Sequence, residues 1–404
     1  MVRFLSLFFY FFIFNNVLFS QDTVSVISYN LLRFNSSTER NLHFRNIIEK
    51  IKPDVLITQE MIGQESVNNF LNNILKNINE KYKAADFIDD EDTDIDQGLF
   101  YNSNKFSFIS TSQIDGYPRP VYIFTLKHLD TGEQFVVYNL HLKASKGSEN
   151  ELARSDQVKE LKNHISETNS NFYIVAGDFN IYSTAESAYK DLFSITESGK
   201  GNLHDLINVV GTYNDPSNAN IHTQSTRTSQ FGGGSHGGLD DRFDFILFSD
   251  SLMYGDRIFV IDSTYKSFGN DGMHYNSALN VGPNQEVPMN IANSLHDASD
   301  HLPVFVKIIF SNEKIYREVL NVESYSVSDK LLFYPNPSKN KLNIQSDDHK
   351  INKLEIYSLN GTKILDKNIN SYSCTIDISK INIGNYLIIL NFKNFTQKIK
   401  FVKI

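Results

Sequence analysis

The segment from residue 172 to residue 180 reads Phe-Tyr-Ile-Val-Ala-Gly-Asp-Phe-Asn. Its apolar first half predicts a buried strand, and Gly177 separates that strand from two short polar side chains, Asp178 and Asn180. The end of a strand is a place where a rigid scaffold can hold acid–base groups or metal ligands in a cleft. We therefore expect Asp178 and Asn180 to belong to a functional site.

Other apolar strands carry polar residues at their ends in the same way. Alone, each has an ordinary structural explanation: Asn30 could cap a turn, Glu60 could cap the next helix, and His141 could be a satisfied, partly buried histidine. Together they predict one cleft formed by several strand ends. The candidate residues are Asn30, Glu60, His141, Asp178, Asn180, Asp244, Asp300 and His301.

Strand and helix signals alternate along the first three quarters of the chain. Apolar residues at helical spacing predict helices at 38–51, 65–79 and 149–167. Short β-rich runs predict further strands at 24–30, 55–60, 98–102, 105–114, 121–128, 134–141, 243–248 and 302–309. This mixture predicts an α+β fold with two packed sheets and helices outside them.

Composition limits the possible classes of protein. The 404 residues are 41% hydrophobic with only 9 Pro, which favours packed cores over disorder. A single cysteine, Cys374, excludes an intrachain disulfide framework. The net charge is −9, and because residues 331–404 carry 11 Lys against 5 acidic residues, residues 1–330 carry −15. We do not expect residues 1–330 to attract polyanions through their overall charge. Phosphate chemistry in this region would therefore need a metal.

The two ends of the chain differ from its body. Residues 1–20 have one basic residue and then a Phe-rich apolar run, which is typical of a signal peptide; a membrane anchor is the alternative. Residues 311–330 are polar and predict a linker between a domain at 21–310 and a domain at 331–404. The last domain has short alternating strands, which predict a small all-β sandwich.

The strand-end residues lie within motifs that resemble the deoxyribonuclease-I-like endonuclease/exonuclease/phosphatase superfamily, over about residues 23–310. In order, the motifs are Ser28-Tyr29-Asn30, Thr58-Gln59-Glu60, Tyr138-Asn139-Leu140-His141-Leu142, Gly177-Asp178-Phe179-Asn180, Arg242-Phe243-Asp244-Phe245-Ile246-Leu247 and Ser299-Asp300-His301-Leu302-Pro303-Val304. The resemblance implies a four-layer αβ sandwich that hydrolyses phosphate esters with a divalent metal, usually Mg²⁺, with Mn²⁺ or Ca²⁺ as alternatives.

The resemblance also implies roles. Glu60, helped by Asn30 and Asp300, would bind the metal, since Mg²⁺ prefers oxygen ligands. Asp178 would orient or deprotonate the attacking water. Asn180 and His141 would contact the phosphate, and His301, fixed by Asp244, would touch the scissile group.

Three loops are ambiguous from sequence. Arg119, between two prolines, is either a phosphate-binding arginine or a solvated turn residue. The glycine-rich run at 231–238 could cradle phosphate, although a mobile linker is the favoured interpretation. The acidic run at 89–96 lacks the spacing of a known Ca²⁺ loop and predicts a solvated loop.

The C-terminal domain resembles the type A sorting domain of type IX secretion. The motifs are Phe333-Tyr334-Pro335-Asn336-Pro337, Leu354-Glu355-Ile356-Tyr357-Ser358-Leu359-Asn360-Gly361, Ile376-Asp377-Ile378 and Ile383-Gly384-Asn385-Tyr386. A carbohydrate-binding or adhesive sandwich is the alternative. We expect a secreted or surface-bound monomer, exported through the periplasm by the type IX machinery, without a membrane span when mature.

The favoured activity is that of a phosphodiesterase acting on extracellular DNA or RNA. A phosphatase or a phospholipid or sphingomyelin phosphodiesterase is the first alternative, because the core motifs supply phosphate chemistry without naming the substrate. A noncatalytic adhesin is the alternative from another class.

Overall fold

The computed structural model divides into two compact units after Ile315, and each is described separately. The residues described are 21–89, 95–168, 170–194, 200–207, 209–315, 331–334, 338–346, 349–358, 362–382, 384–393 and 396–403. The predicted signal peptide and residues 316–330 of the predicted linker lie outside these ranges. Among the described residues, no helix is long and apolar enough to cross a membrane.

The first unit contains twelve strands in two six-stranded sheets. The strands are β1 (Gln21–Phe34), β2 (Val55–Met61), β3 (Tyr82–Ala84), β4 (Asp96–Asn102), β5 (Phe106–Ile114), β6 (Val121–His128), β7 (Gln134–His141), β8 (Tyr173–Asp178), β9 (Leu203–His204), β10 (Asp244–Ser249), β11 (Ile258–Ser267) and β12 (Val304–Ser311). The first sheet has the order β11-β12-β1-β2-β4-β3, and the second has the order β5-β6-β7-β8-β10-β9. Both are mixed, because β1 pairs with β2 and β7 pairs with β8 in parallel.

Helices pack against both sheets. They are α1 (Asn41–Ile51), α2 (Gly63–Asn69), which continues through a π-helical stretch (Phe70–Leu75) into α3 (Lys76–Ile78), α4 (Ser148–Glu167), α5 (Ser187–Leu192), α6 (Asp250–Tyr254) and α7 (Met289–Ala298), with a 3₁₀ helix at Pro216–Ile221. Residues of α1, α2 and α7 share a buried cluster with the first sheet. Residues of α4 and α5 share one with the second.

The alternation of side chains along β1 explains the layering. Val24 and Val26 belong to the core between the two sheets, whereas Ile27 and Tyr29 pack on the helical side of the first sheet. All four are fully buried, as expected for strands covered on both faces. The predicted four-layer αβ sandwich is confirmed.

Sequence reasoning missed several elements and misjudged one loop. No strand was predicted at β11, and no helix at α5, α6 or α7. In the acidic run, residues 90–94 lie outside the described ranges. Asp96, however, is a β4 residue that is only 2% exposed and accepts a hydrogen bond from Tyr122 Oη at 3.0 Å, so at this position the expectation of a solvated loop is wrong.

The second unit is all β, as predicted. Its strands are β13 (Leu331–Tyr334), β14 (Lys341–Ser346), β15 (Ile351–Ser358), β16 (Lys363–Ser371), β17 (Ser373–Asp377), β18 (Gly384–Asn391) and β19 (Thr396–Lys403). They form a three-stranded sheet, β13-β14-β17, and a four-stranded sheet, β16-β15-β18-β19. Apolar residues of both sheets, including Leu342, Ile356 and Ile388, form one buried cluster between them.

Candidate active site

The candidate residues meet because several strands of both sheets end or begin at one edge of the sandwich. In the second sheet, His141 at the end of β7 and Asp244 at the start of β10 both pair with Asp178, the last residue of β8. In the first sheet, Asn30 pairs with Gln59, so Glu60 follows at the adjoining end of β2. Register within each sheet therefore aligns these strand ends, and the packing of the two sheets brings Asn30 Nδ2 within 3.1 Å of Asp178 Oδ2, 148 positions away in the chain.

A buried polar contact joins the two sheets beneath this edge. Gln59 Nε2 on β2 donates to Asn139 Oδ1 on β7 at 2.8 Å, and Asn139 Nδ2 donates to the carbonyl oxygen of Thr58 at 3.0 Å. Both side chains are fully buried. Because buried amides need their partners, these bonds fix the relative position of β2 and β7, and with it that of Glu60 and His141.

Gly177 allows β7 and β8 to approach closely just before Asp178. Its φ is +144°, and a Cβ placed there would lie 1.9 Å from the carbonyl oxygen of Leu140 on the neighbouring strand. Any other residue would push β8 away from β7. Asp178 can therefore lie next to His141 only because residue 177 is a glycine.

The Asp178 carboxylate lies at the centre of the cluster. Its Oδ2 is 3.1 Å from Asn30 Nδ2, 3.5 Å from His141 Nε2 and 3.6 Å from His301 Nε2, while Oδ1 accepts the backbone N–H of Asn180 at 3.0 Å. Burial raises the pKa of Asp178 to about 7; Asp244 and Glu60 add to the increase, and His301 opposes it.

Glu60 and Asn30 are held by a distorted stretch of β1. Asn30 Nδ2 donates to Glu60 Oε1 at 3.0 Å, and the backbone N–H of Arg33 donates to Glu60 Oε2 at 2.9 Å. Leu32 and Arg33 adopt left-handed φ angles of 49° and 46°, which are uncommon for non-glycine residues and often cluster at functional sites. The Leu32 N–H meanwhile donates to Asn30 Oδ1 at 3.0 Å.

His301 is fixed from both sides. Its Nδ1 is 2.8 Å from Asp244 Oδ2, and the side-chain amide nitrogen of Gln224 is 2.6 Å from its Nε2. Burial lowers the pKa of His301, but the carboxylates of Asp244, Asp300 and Asp178 outweigh burial and raise it well above the usual value. His141 behaves oppositely, because burial, with Arg119 and His301, holds its pKa well below the usual value.

Asp300 connects the cluster to the glycine-rich loop. Its Oδ2 accepts the backbone N–H of Ser235 at 2.7 Å and the Gln224 amide at 3.2 Å. Gly234, with φ +74°, lies so close that a Cβ there would be 2.7 Å from the Asp300 carboxyl carbon. The run at 231–238, expected as a linker, is an anchored wall of the site in the structure.

The donor set suits a divalent cation. Ligand atoms of Glu60, His141 and Asp178 lie within 4.8 Å of one another. Three buried polar atoms nearby, Asp244 Oδ1, Asp300 Oδ1 and His141 Nδ1, have no hydrogen-bond partner within the described part of the chain, which is the state expected of groups that complete a ligand or substrate shell. A hard cation such as Mg²⁺ fits the carboxylates.

This set differs from the one predicted from sequence. Glu60 is common to both, but the other two members of the set in the structure are His141 and Asp178, expected to face the phosphate and the water. Asn30 directs an N–H donor toward Glu60, and its oxygen is already used by Leu32. Asp300 is 3% exposed and lies on the side of Gln224 and Ser235.

Arg119 and Asn180 border the site through backbone contacts. Arg119 Nε donates to the carbonyl oxygen of His141 at 2.9 Å, and its Nη2 donates to that of Leu142 at 2.8 Å. Asn180, in a left-handed conformation at φ 49°, donates through Nδ2 to Leu142 at 3.3 Å. Arg119 is therefore a half-buried clamp on the end of β7 rather than a solvated turn residue.

Sequence reasoning assigned no role to two positioning residues. Gln224 contacts both Asp300 and His301. It lies in a stretch with neither helical nor strand periodicity, so the sequence pattern does not indicate this position. Arg40 donates to the carbonyl oxygens of Leu31, Leu32 and Ala298, so it ties β1 to the segment that carries Asp300. Arg40 lies near the start of the helix predicted at 38–51, and an arginine at such a position is normally expected on the surface.

A family model described as the endonuclease/exonuclease/phosphatase family matches residues 27–301. The chain belongs to this family. The match contains the first five motifs and the Ser299-Asp300-His301 part of the sixth, and it covers most of the first unit, so this unit is called the catalytic domain below. A second model, described as a secretion system C-terminal sorting domain, matches residues 332–404. It indicates export by type IX secretion to the cell surface or outside.

Solved structures show distant similarity to this family member. The catalytic domain of human Nocturnin with bound sulfate is 18% identical, with 71% of this chain and 97% of that chain covered and a TM-score of 0.46. A family protein from Bacteroides thetaiotaomicron is 18% identical, with coverages of 72% and 99% and a TM-score of 0.45. Truncated Caenorhabditis elegans TDP2 is 16% identical, with coverages of 71% and 98% and a TM-score of 0.47. A search of curated proteins finds no match.

Proposed function

We propose that the catalytic domain is a secreted phosphodiesterase that uses a divalent metal and acts on extracellular nucleic acid. The observation that carries the proposal is the position of Asp178, whose Oδ2 faces Asn30 on one side and His141 and His301 on the other. A buried carboxylate that contacts two histidines, and an asparagine bonded in turn to the metal-capable Glu60, is suited to activating water beside a phosphate.

In this proposal the protein residues divide the work. Asp178 takes a proton from the attacking water, and a pKa of about 7 suits a base that operates near neutral pH. His301, kept in place by Asp244, carries positive charge toward the phosphoryl oxygens. Asn180 and His141 line the phosphate, with Arg119 behind them.

Glu60, with His141 and Asp178 close by and Asn30 and Asp300 at the sides, would hold the cation. When bound, Mg²⁺, or Mn²⁺ or Ca²⁺ in its place, supplies positive charge that offsets the charge of the phosphate. That contribution matters here because residues 1–330 carry a net charge of −15.

We further propose that residues 1–20 are a signal peptide and that the sorting domain serves as an address rather than as part of the site. The domain boundaries of the proposal are 21–310 for catalysis, 311–330 for the linker and 331–404 for sorting. The mature protein is expected to be a monomer without a membrane span.

The test is hydrolysis by the purified protein of DNA, RNA, bis-p-nitrophenyl phosphate and sphingomyelin, with Mg²⁺ or with excess chelator. We expect cleavage of the nucleic acids and of the small diester, abolished by chelation and restored by Mg²⁺ or Mn²⁺. Full activity in excess chelator would remove the metal from the proposal.

The alternatives give different results in the same assay. Cleavage of sphingomyelin without cleavage of nucleic acid would identify a lipid phosphodiesterase, and activity restricted to monoesters would identify a phosphatase. Absence of any hydrolysis would favour an adhesin. Asp262→Asn, an exposed carboxylate on β11, is the matched control for substitutions in the site.

A further inference from the structure

A cavity of about 650 Å³ opens beside the metal-capable residues. On one side it is lined by the segment from Leu32 to His43, and on the other by Phe231 and Gly232–Gly234. Both walls continue into the site: the Arg33 N–H binds Glu60, and Gly234 packs against Asp300. The cavity has the size of a small-molecule site and shares its edge with the proposed reaction centre.

The walls of the cavity carry unusual positive charge for so acidic a domain. Arg33, Arg40 and Arg227 line it, against the carboxylates of Glu39 and Asp297. Arg227 is 1% exposed and Arg40 is half-buried. Among the described residues both guanidinium groups donate to backbone carbonyl oxygens, and neither forms a salt bridge with a carboxylate. Their charges are therefore not cancelled by direct partners, and they favour an anion in the cavity.

The cavity also offers an aromatic surface. Phe231 is 45% exposed, although its ring is supported by His296, at a centroid distance of 5.1 Å, and by the Arg227 guanidinium, at 5.2 Å. A half-exposed ring held by such contacts can stack on a planar group at little entropic cost. Gly232 and Gly233 leave open space beside it, because a Cβ on either would meet nothing within 4 Å.

We propose that this cavity binds the nucleotide next to the scissile phosphate, with its base against Phe231 and its phosphate in the field of Arg33, Arg40 and Arg227. The inference rests on the proposed function and narrows it to substrates that carry both a base and a neighbouring phosphate. Neither a lipid nor a simple phosphomonoester carries both of these groups. The subsite would attract a nucleic-acid strand locally, although the net negative charge of the domain repels it.

The test measures equilibrium binding by fluorescence anisotropy, with the full chain carrying Asp178→Asn so that turnover does not interfere. The probes are a labelled thymidine hexamer and the same hexamer with abasic residues in place of the nucleosides. We expect Phe231→Ala to weaken binding of the thymidine strand about 10-fold and to leave the abasic strand unchanged. Phe231→Tyr, which keeps the ring, should bind like the parent.

Arg33→Gln tests the charge component separately. It should weaken both strands equally and reduce the dependence of binding on salt by about one phosphate contact. Tyr254→Ala, an exposed aromatic on α6 at the opposite end of β10, is the control for Phe231 and should change nothing.

Equal loss on both strands with Phe231→Ala, or equal affinity of the parent for both strands, would overturn the inference. Because the readout is binding, its outcome is independent of hydrolysis. A parent chain that binds the thymidine strand through Phe231 while the wild type cleaves no diester would contradict the proposed activity and still support the subsite.

Discussion

Carboxylates and cationic side chains meet in two very different settings in this protein. In the catalytic domain, Asp178, Asp244 and His301 are each no more than 2% exposed. In the sorting domain, Glu355 and Asp366 lie opposite each other on β15 and β16, and Lys353 and Lys363 bridge them on the solvent side. Similar residues thus form a buried cluster in one domain and an exposed network in the other.

The pKa values of two carboxylates show what the difference means. Burial raises the pKa of Asp178 to about 7, whereas hydrogen bonds from Lys363 and Lys353 lower the pKa of Glu355 to about 2. The folded state thus disfavours the charged form of Asp178 and favours the charged form of Glu355. A carboxylate pKa raised in this way is typical of functional sites and agrees with the site proposed for the buried cluster, whereas the exposed network contributes modestly to stability.

The largest expected effect comes from the buried cluster. Asp178→Asn removes the proposed base but preserves shape, so turnover should fall about 10²- to 10⁴-fold, as it should for His301→Ala. The thermal midpoint of Asp178→Asn should not fall, because a buried charge has been removed. Rates on bis-p-nitrophenyl phosphate and a calorimetric scan measure both. Wild-type rates in either folded variant would exclude that residue from the mechanism.

A buried ion pair that the proposed mechanism does not use should affect stability instead. Arg242, 1% exposed, forms two hydrogen bonds with Asp205 at 2.7 and 2.8 Å and lies 4.1 Å from the Phe245 ring centroid. Asp205→Leu leaves a buried guanidinium without its carboxylate, and should lower the free energy of unfolding by about 3–5 kcal/mol.

Urea unfolding of the full chain measures this change. The control is Asp256→Asn, which breaks the exposed pair with Lys314 and should leave the unfolding midpoint unchanged. If both substitutions lower the free energy of unfolding equally, burial does not explain the difference in stability expected between the two ion pairs.

The exposed network should respond more weakly. Glu355→Gln should shift the thermal midpoint of the sorting domain by less than about 3 °C, because water and salt screen exposed pairs. The folded pKa of Glu355 lies below the usual value of 4.5, so its contribution is present above about pH 4.5 and is lost as the pH falls toward about 2. Calorimetry at pH 7 and pH 3 checks both points; a larger shift at pH 3 would have the wrong sign.

The smallest expected effect in vitro is that of removing the sorting domain. Residues 21–328 contain all six motifs, so this chain should hydrolyse bis-p-nitrophenyl phosphate at the full-length rate. In the native host the same truncation should remain in the periplasm, as fractionation would show. Unimpaired release to the medium would refute the sorting role.

Long DNA provides a further comparison between the two chains. Residues 331–404 carry a net charge of +6 and residues 1–330 carry −15, so the sorting domain is the part of the chain that would attract a polyanion. A loss of activity on long DNA, with unchanged activity on the small diester, would show that its charge matters to the enzyme. Equal activity on both substrates would limit its role to sorting.

The sequence by itself determined the layered fold and most of the strand-end residues. Strands buried on both faces leave continuous apolar runs, and Gly177-Asp178-Phe179-Asn180 interrupts such a run with polar groups that no core position needs. The two-domain division was visible for a similar reason, since strand spacing and charge both change near residue 330. These signals are local, and a single sequence carries them.

Only the tertiary structure decided which of these residues touch. Gln224 bridges Asp300 and His301, and Arg40 ties β1 to Ala298, but neither contact follows any period in the sequence. The anchoring of the glycine-rich loop also depends on Asp300, 65 positions beyond Ser235. Such contacts arise where two sheets and several loops converge, because the partner of each buried polar group is set by packing in three dimensions rather than by neighbours in the chain.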